Sequence, residues 1–131
     1  ANFIDASNGL TIEEGSQITN FVSIITHSSH DAIRLYGKHY ASTPNKLAYN
    51  ESQVKIGKYS FIGPHAVIMP GTTLGKGSLV SAYSFVKGSF PDYAIISGNP
   101  AVIVGDTRNR DKKWLEENET LQANYKSWNE A

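Results

Sequence analysis

Aliphatic residues recur at a strict interval of six along one stretch of this chain, at Ile56, Ile62, Ile68, Leu74, Val80 and Val86. That spacing scatters side chains around an α-helix, whereas in extended chain, where alternate residues share a face, an even interval keeps them all on one side. Two further columns keep step. Small or β-branched residues stand two places before each aliphatic, at Val54, Ser60, Ala66, Thr72, Ser78 and Ser84, and glycine follows it at Gly57, Gly63 and Gly75. A six-residue unit with one inward aliphatic, one small inward residue and a turn is too short to bury anything alone. Such units must stack on one another, which predicts a parallel β-solenoid.

The array starts early, because Ile12, Ile18 and Ile24 hold the interval, with Ser16, Val22 and Ser28 in the small column. Ile4 and Leu10 are also six apart but run two residues out of phase with Ile12, so a short insertion around Asn8 and Gly9 should bulge from the first coil. From about residue 30 to 53 the repeat stops, and aromatic and charged residues mix with Gly37 and Pro44 without a period. A long excursion with no secondary structure of its own is uncommon in a compact domain and tends to carry function. After Val86, turns at Pro91, Gly98 and Pro100 separate the last strands, supplied by Ile95, Ile96, Val102 and Val104, which puts the solenoid domain at residues 1–104. In the 105–131 tail, Trp114, Leu121, Tyr125 and Trp128 fall near one helical face. The pattern predicts a C-terminal helix whose aromatic stripe packs over the exposed end of the solenoid.

With 131 residues, 40% of them hydrophobic, the chain fits a single domain with a core. Its formal net charge of zero lacks the sustained basic surface that nucleic acid or an anionic membrane selects. Cysteine is absent, which excludes a disulfide framework, a thiolate metal site and a cysteinyl acyl intermediate. No apolar run approaches the roughly 20 residues that span a bilayer, and no basic-then-apolar leader opens the chain, which predicts a cytoplasmic protein without membrane insertion.

Chemistry is concentrated where the regular array gives way to the excursion, in THSSHD, residues 26–31. His27 stands at that junction, with its backbone held by the scaffold and its ring free to face a groove. An unperturbed imidazole titrates near pH ~6.5, so it can take a proton from a hydroxyl as a general base; the alternative is an ordinary exposed loop histidine. His30 and Asp31 are candidates for contacting an acceptor or orienting that base. A zinc site built from His27, His30, His39 and His65 lacks the pattern of the hexapeptide zinc enzymes resembling γ-class carbonic anhydrases, because Pro70 stands where the partner of His65 should be. No metal is therefore expected. In the late array, SAYSFVKG (residues 81–88) offers a straight wall of backbone amides, with Lys87, Arg108 and Arg110 available for phosphates or simply solvated.

The six-residue array, the THSSHD entry into the loop and the closing GNPA together resemble the hexapeptide-repeat acyltransferases with a left-handed β-helix. His27, His30 and Arg34 are similar in spacing to the motif of the sugar O-acetyltransferases of the galactoside, maltose and lipopolysaccharide branch. The resemblance implies a homotrimer with acetyl-CoA in the groove between subunits, His27 as general base, and a carbohydrate acceptor enclosed by the excursion. It assigns His30, Asp31, Arg34 and Asn2 to the acceptor, and Gly63, Ser81, Ala82, Lys87 and Arg108 to the cofactor. Lys87 replaces the family's threonine, and Val102 stands where a basic residue commonly follows GNPA. Rivals are an N-acyltransferase for an amino sugar, an antibiotic acetyltransferase on the same fold, and a solenoid scaffold without catalysis.

Overall fold

The computed structural model describes residues 1–130. The chain winds through three parallel sheets in strict rotation. The first face stacks Phe3–Ile4, Ser23–Ile24, Val67–Ile68 and Phe85–Val86; the second stacks Leu10–Ile12, Val54–Ile56, Thr73–Leu74 and Ser89–Phe90. The third stacks Gln17–Ile18, Phe61–Ile62, Leu79–Val80 and Ala94–Gly98. This is the topology of a three-sided parallel β-solenoid.

The register follows the six-residue period. Ile4, Ile24, Ile68 and Val86 lie in one inward row, as do Ile18, Ile62, Val80 and Ile96. In the middle coils these side chains are 0% exposed, while Ile4 and Ile12 remain 47% and 40% exposed because nothing stacks on the first coil. The phase break of that coil is where the spacing puts it: Leu10 pairs with Val54 and Ile12 with Ile56, and the extra residues sit at the Ser7–Asn8 turn. The small column is buried as well, and its hydroxyls find backbone partners: Ser60 and Ser78 both donate to the Gly75 carbonyl, and Thr72 donates to that of Val86. That satisfies polar groups which burial would otherwise make costly. At the corner after Ile62, a Cβ on Gly63 would lie 2.7 Å from the Ala82 backbone nitrogen and 2.8 Å from the Val80 oxygen. Close approach of successive coils thus requires glycine there.

Three expectations need correction. The excursion is not devoid of structure, since it holds helix α1 (Ala32–Tyr36) and closes with His27–Ser28 antiparallel to Asn50–Glu51. Val102 and Val104 do lie in the last strand, but Ala101–Asp106 folds back antiparallel on Ala94–Gly98 instead of continuing the parallel stack, and both valines are exposed.

The tail, finally, is two helices, α2 (Thr107–Glu116) and α3 (Glu119–Asn129), because Asn118 caps the second by accepting the Leu121 N–H. The break divides the aromatic stripe. Trp128 stacks on Tyr59 at 4.9 Å and Tyr125 packs against Trp128, while Trp114 stays 62% exposed. The helices dock on the corner between the second and third faces rather than over the solenoid end: Lys76 Nζ donates to the Asn129 carbonyl, and Thr107 Oγ1 donates to that of Gly77. No helix among the described residues is long and apolar enough to cross a membrane.

Ile68 is fully buried between Ile24 and Val86. Ile68→Asp should therefore remove several kcal/mol, a large share of a typical ~5–15 kcal/mol stability. Thermal melting should show loss of the cooperative transition or a large fall in Tm; a melt within a degree or two of the parent would contradict the inward assignment.

Candidate active site

Residues Phe3–Ile4 and Ser23–Ile24 stack directly, and the chain leaves both strands at the same corner, between the first and second faces. Asp5 and Thr26–His27 are brought together there from adjacent coils. The Asp5 side chain, 10% exposed, gathers five donors. Its Oδ1 accepts from the Ser7 hydroxyl (2.6 Å) and the Ser7 N–H (3.0 Å). Its Oδ2 accepts from the Thr26 N–H (3.1 Å), the Thr26 hydroxyl (3.0 Å) and His27 Nδ1 (2.5 Å). Hydrogen bonds from Ser7 foremost, then from the Thr26 N–H and the His27 ring, hold the Asp5 carboxyl far below the usual carboxylate range.

An ionised carboxylate only accepts, so the proton in this contact belongs to Nδ1. The Nε2 lone pair of His27 is left free. The ring lies flat against Tyr49, with centroids 5.7 Å apart and planes 13° apart, and is 39% exposed. Burial pushes the Tyr49 phenol up, so it stays neutral beside the imidazole. Asp5 is absent from the candidates drawn from sequence. The available signal was the phase shift of the first coil, which places extra residues, including Ser7 and Asn8, over His27.

A second cluster begins two residues beyond the His27–Ser28 strand. His30 Nδ1 lies 2.7 Å from Ser28 Oγ, and Arg34 donates to Asp31 at 2.9 Å and to the His30 carbonyl at 2.5 Å. Asn50 donates to Asp31 at 3.2 Å, and Asn50, then Arg34, keeps that carboxyl below its ordinary range. Arg34 thus braces the loop, while His30 and Asp31 line an open cleft of about 360 Å³ with Asn50, Met69, Pro70 and Lys87. His27 is paired across its strand with Glu51, which also lines this cleft.

The remaining residues singled out in the sequence lie apart. Asn2 accepts the Val22 N–H through Oδ1 and serves the first coil, and Asp5, not Asn2, reaches the histidine. Gly63, Ser81 and Ala82 follow strands of the third face, so they occupy a different corner from His27. Arg108 is held by both oxygens of Asp106, the closer at 2.6 Å, and lies over the Tyr93 ring. His65, on that same other corner, is stacked between Phe21 and Tyr83 at 5.0 and 4.7 Å.

Residues 53–88 match the model of the bacterial transferase hexapeptide (six repeats) family. The chain carries this hexapeptide repeat and is similar to O-acetyltransferases. It is 31% identical to the galactoside O-acetyltransferase of Escherichia coli K12 over 93 residues, covering 71% of this chain and 41% of that one. It is 35% identical over 71 residues to WbbJ of the same organism, named for O-acetyl transfer in lipopolysaccharide biosynthesis, covering 54% and 36% of the two chains. The hexapeptide-repeat chain therefore spans less than half the length of either relative.

Among solved structures, a galactoside acetyltransferase in complex with coenzyme A superposes with a TM-score of 0.69 at 26% identity, covering 85% of this chain and 52% of that one. A point variant of AntD, an N-acyltransferase from Bacillus cereus in complex with dTDP and coenzyme A, gives 0.71 at 26% identity, covering 93% and 65%.

The depressed carboxyl of Asp5 contributes stability that is present above the unfolded-state pKa, near ~4, and is lost as pH falls from there toward the folded value. Melting followed between pH ~6 and ~3 should show a steeper acid loss in the parent than in Asp5→Asn. Parallel acid limbs would contradict the five-donor arrangement.

Proposed function

We propose that this chain is the left-handed β-helix body of an acetyl-CoA-dependent O-acetyltransferase that acts on a hydroxyl of a sugar or surface-polysaccharide precursor. The observation that carries the reading is the Asp5–His27 pair, which leaves a bare Nε2 on a half-exposed ring. Nε2 of His27 removes the proton of the acceptor hydroxyl as that oxygen attacks the thioester carbonyl. Asp5 holds the ring in place and offsets the positive charge that the imidazole then carries. Collapse of the adduct forms the ester and expels the thiolate of coenzyme A, and His27 returns its proton to that sulfur. No acyl-enzyme is formed. Acetyl-CoA supplies the activated acetyl group; this chain supplies the base, its orientation and a cleft with the Lys87 ammonium for phosphate.

Lys87 shares the cleft beside His27, but Gly63, Ser81 and Ala82 lie on another corner of the same chain. A cofactor touching both sets needs a second copy, which supports a homotrimer with the groove between subunits. Outward rows on the two faces flanking that corner suit such packing: Phe61, Leu79 and Ile95 on the third, Val67 and Phe85 on the first. The reading places the reaction in the cytoplasm. The similarity to AntD favours a second reading, transfer to an amino sugar, in which the same base deprotonates an amine. Comparing an amino sugar with its hydroxyl counterpart decides between them.

His27→Ala should leave the fold and coenzyme A affinity nearly unchanged while lowering acetyl transfer roughly 10²- to 10⁴-fold, the usual loss of a general base. The proposed mechanism uses no metal, so chelators should leave the rate unaltered. Transfer to a panel of sugars, by parent and variant and with chelator, checks each point: undiminished turnover in His27→Ala rejects the base, and chelator-sensitive turnover rejects the metal-free mechanism.

A further inference from the structure

The helical tail borders a second, open concave site. Where α2 and α3 meet the solenoid, a cavity of about 460 Å³ is walled by Tyr59, Trp114, Tyr125 and Trp128, with Leu115 and Leu121 between them. Both tryptophans of the chain are here. The walls differ in their commitments. Trp128 is already covered by Tyr59 and Tyr125, whereas Trp114 is 62% exposed, with only the Lys113 ammonium near its ring.

Three polar residues, Asp111, Asn124 and Ser127, complete the lining. The Ser127 hydroxyl is used internally, donating to the Asn124 carbonyl. Neither the Asp111 carboxyl nor the Asn124 side chain makes a hydrogen bond or ion pair among the described residues. Burial pushes the Asp111 carboxyl up, and Arg110 only partly opposes this.

The combination selects one chemistry. A hydrocarbon would fill the apolar walls but desolvate the Asp111 carboxyl further and cover the Asn124 amide without pairing either, which is unfavourable. An anion would face the Asp111 carboxyl, and the nearest basic side chains, Arg110 and Lys113, line the adjoining cleft rather than this cavity. A cation would find that carboxylate already opposed by the adjoining Arg110. An uncharged sugar ring fits these constraints: its C–H face packs on an indole while its hydroxyls donate to a carboxylate and an amide oxygen. We propose that this cavity is a non-catalytic carbohydrate site that takes a neutral sugar ring, with Trp114 as platform and Asp111 and Asn124 as hydrogen-bond partners. It is lined by none of the residues of the His27 cleft, so it does not depend on the acetyl-transfer reading.

Because both tryptophans line the cavity, their emission reports on it directly. The probes are methyl glycosides of galactose, glucose and mannose, with maltose and cellobiose as longer neutral ligands, and glucuronate, glucosamine and cyclohexanol as charged and apolar controls. At least one neutral sugar should shift the emission saturably in the millimolar range, and the controls should not reproduce it. Trp114→Ala and, independently, Asp111→Ala should each weaken binding about tenfold in saturation-transfer NMR, with circular dichroism confirming the fold. His27→Ala should leave this binding intact. Absence of saturable binding by every neutral sugar, equal binding of cyclohexanol, or full affinity in both cavity variants overturns the proposal.

Discussion

Every middle coil of this protein keeps its shape because matching aliphatic side chains lie directly above and below its own. Strands of the middle coils are two or three residues long, too short to persist alone, and their hydrogen bonds run to neighbouring coils rather than within one. The inward rows such as Ile24, Ile68 and Val86 therefore set the register of everything attached to the outside. The Asp5–His27 contact is a direct product of that register. Ile4 stacks on Ile24, so the residues that leave those two strands turn the same corner together.

The candidate site lies where the repeat is violated. The extra residues of the first coil bring Ser7 onto Asp5 and Asn8 onto Thr26, whose hydroxyl accepts the Asn8 N–H at 3.1 Å. On the next coil the excursion leaves from the same corner and returns Tyr49 against the face of His27. Two departures from periodicity, one in each of two stacked coils, thus surround the proposed base from opposite sides. The regular coils supply rigidity, and the insertions supply polar groups that a six-residue unit has no room for.

Legibility in the sequence follows the same division. The interval of six marks the core almost residue by residue, since Val54, Ser60, Ala66, Thr72, Ser78 and Ser84 are all buried as the small column requires. His27 is legible because it ends a regular coil. Asp5 is not, because its significance comes from a neighbour in space that lies 22 positions away, across a coil whose phase is broken. The tail is half legible. Its helical period is plain, but the division at Asn118 depends on a capping side chain, and the docking corner depends on Tyr59 and Gly77, remote in sequence. Residues carried over by resemblance differ in their surroundings, with Lys87 lining the cleft beside His27 and Arg108 committed to Asp106, because likeness transfers positions without their local partners.

Central to this account is one proton: Asp5, ionised and saturated with donors, forces the neutral His27 ring to carry its hydrogen on Nδ1 and expose Nε2. Nitrogen-15 NMR of histidine-labelled protein measures this directly. The neutral His27 ring should give a protonated Nδ1 in a strong hydrogen bond to carboxylate and an unprotonated Nε2; a neutral ring with its proton on Nε2 would contradict the account.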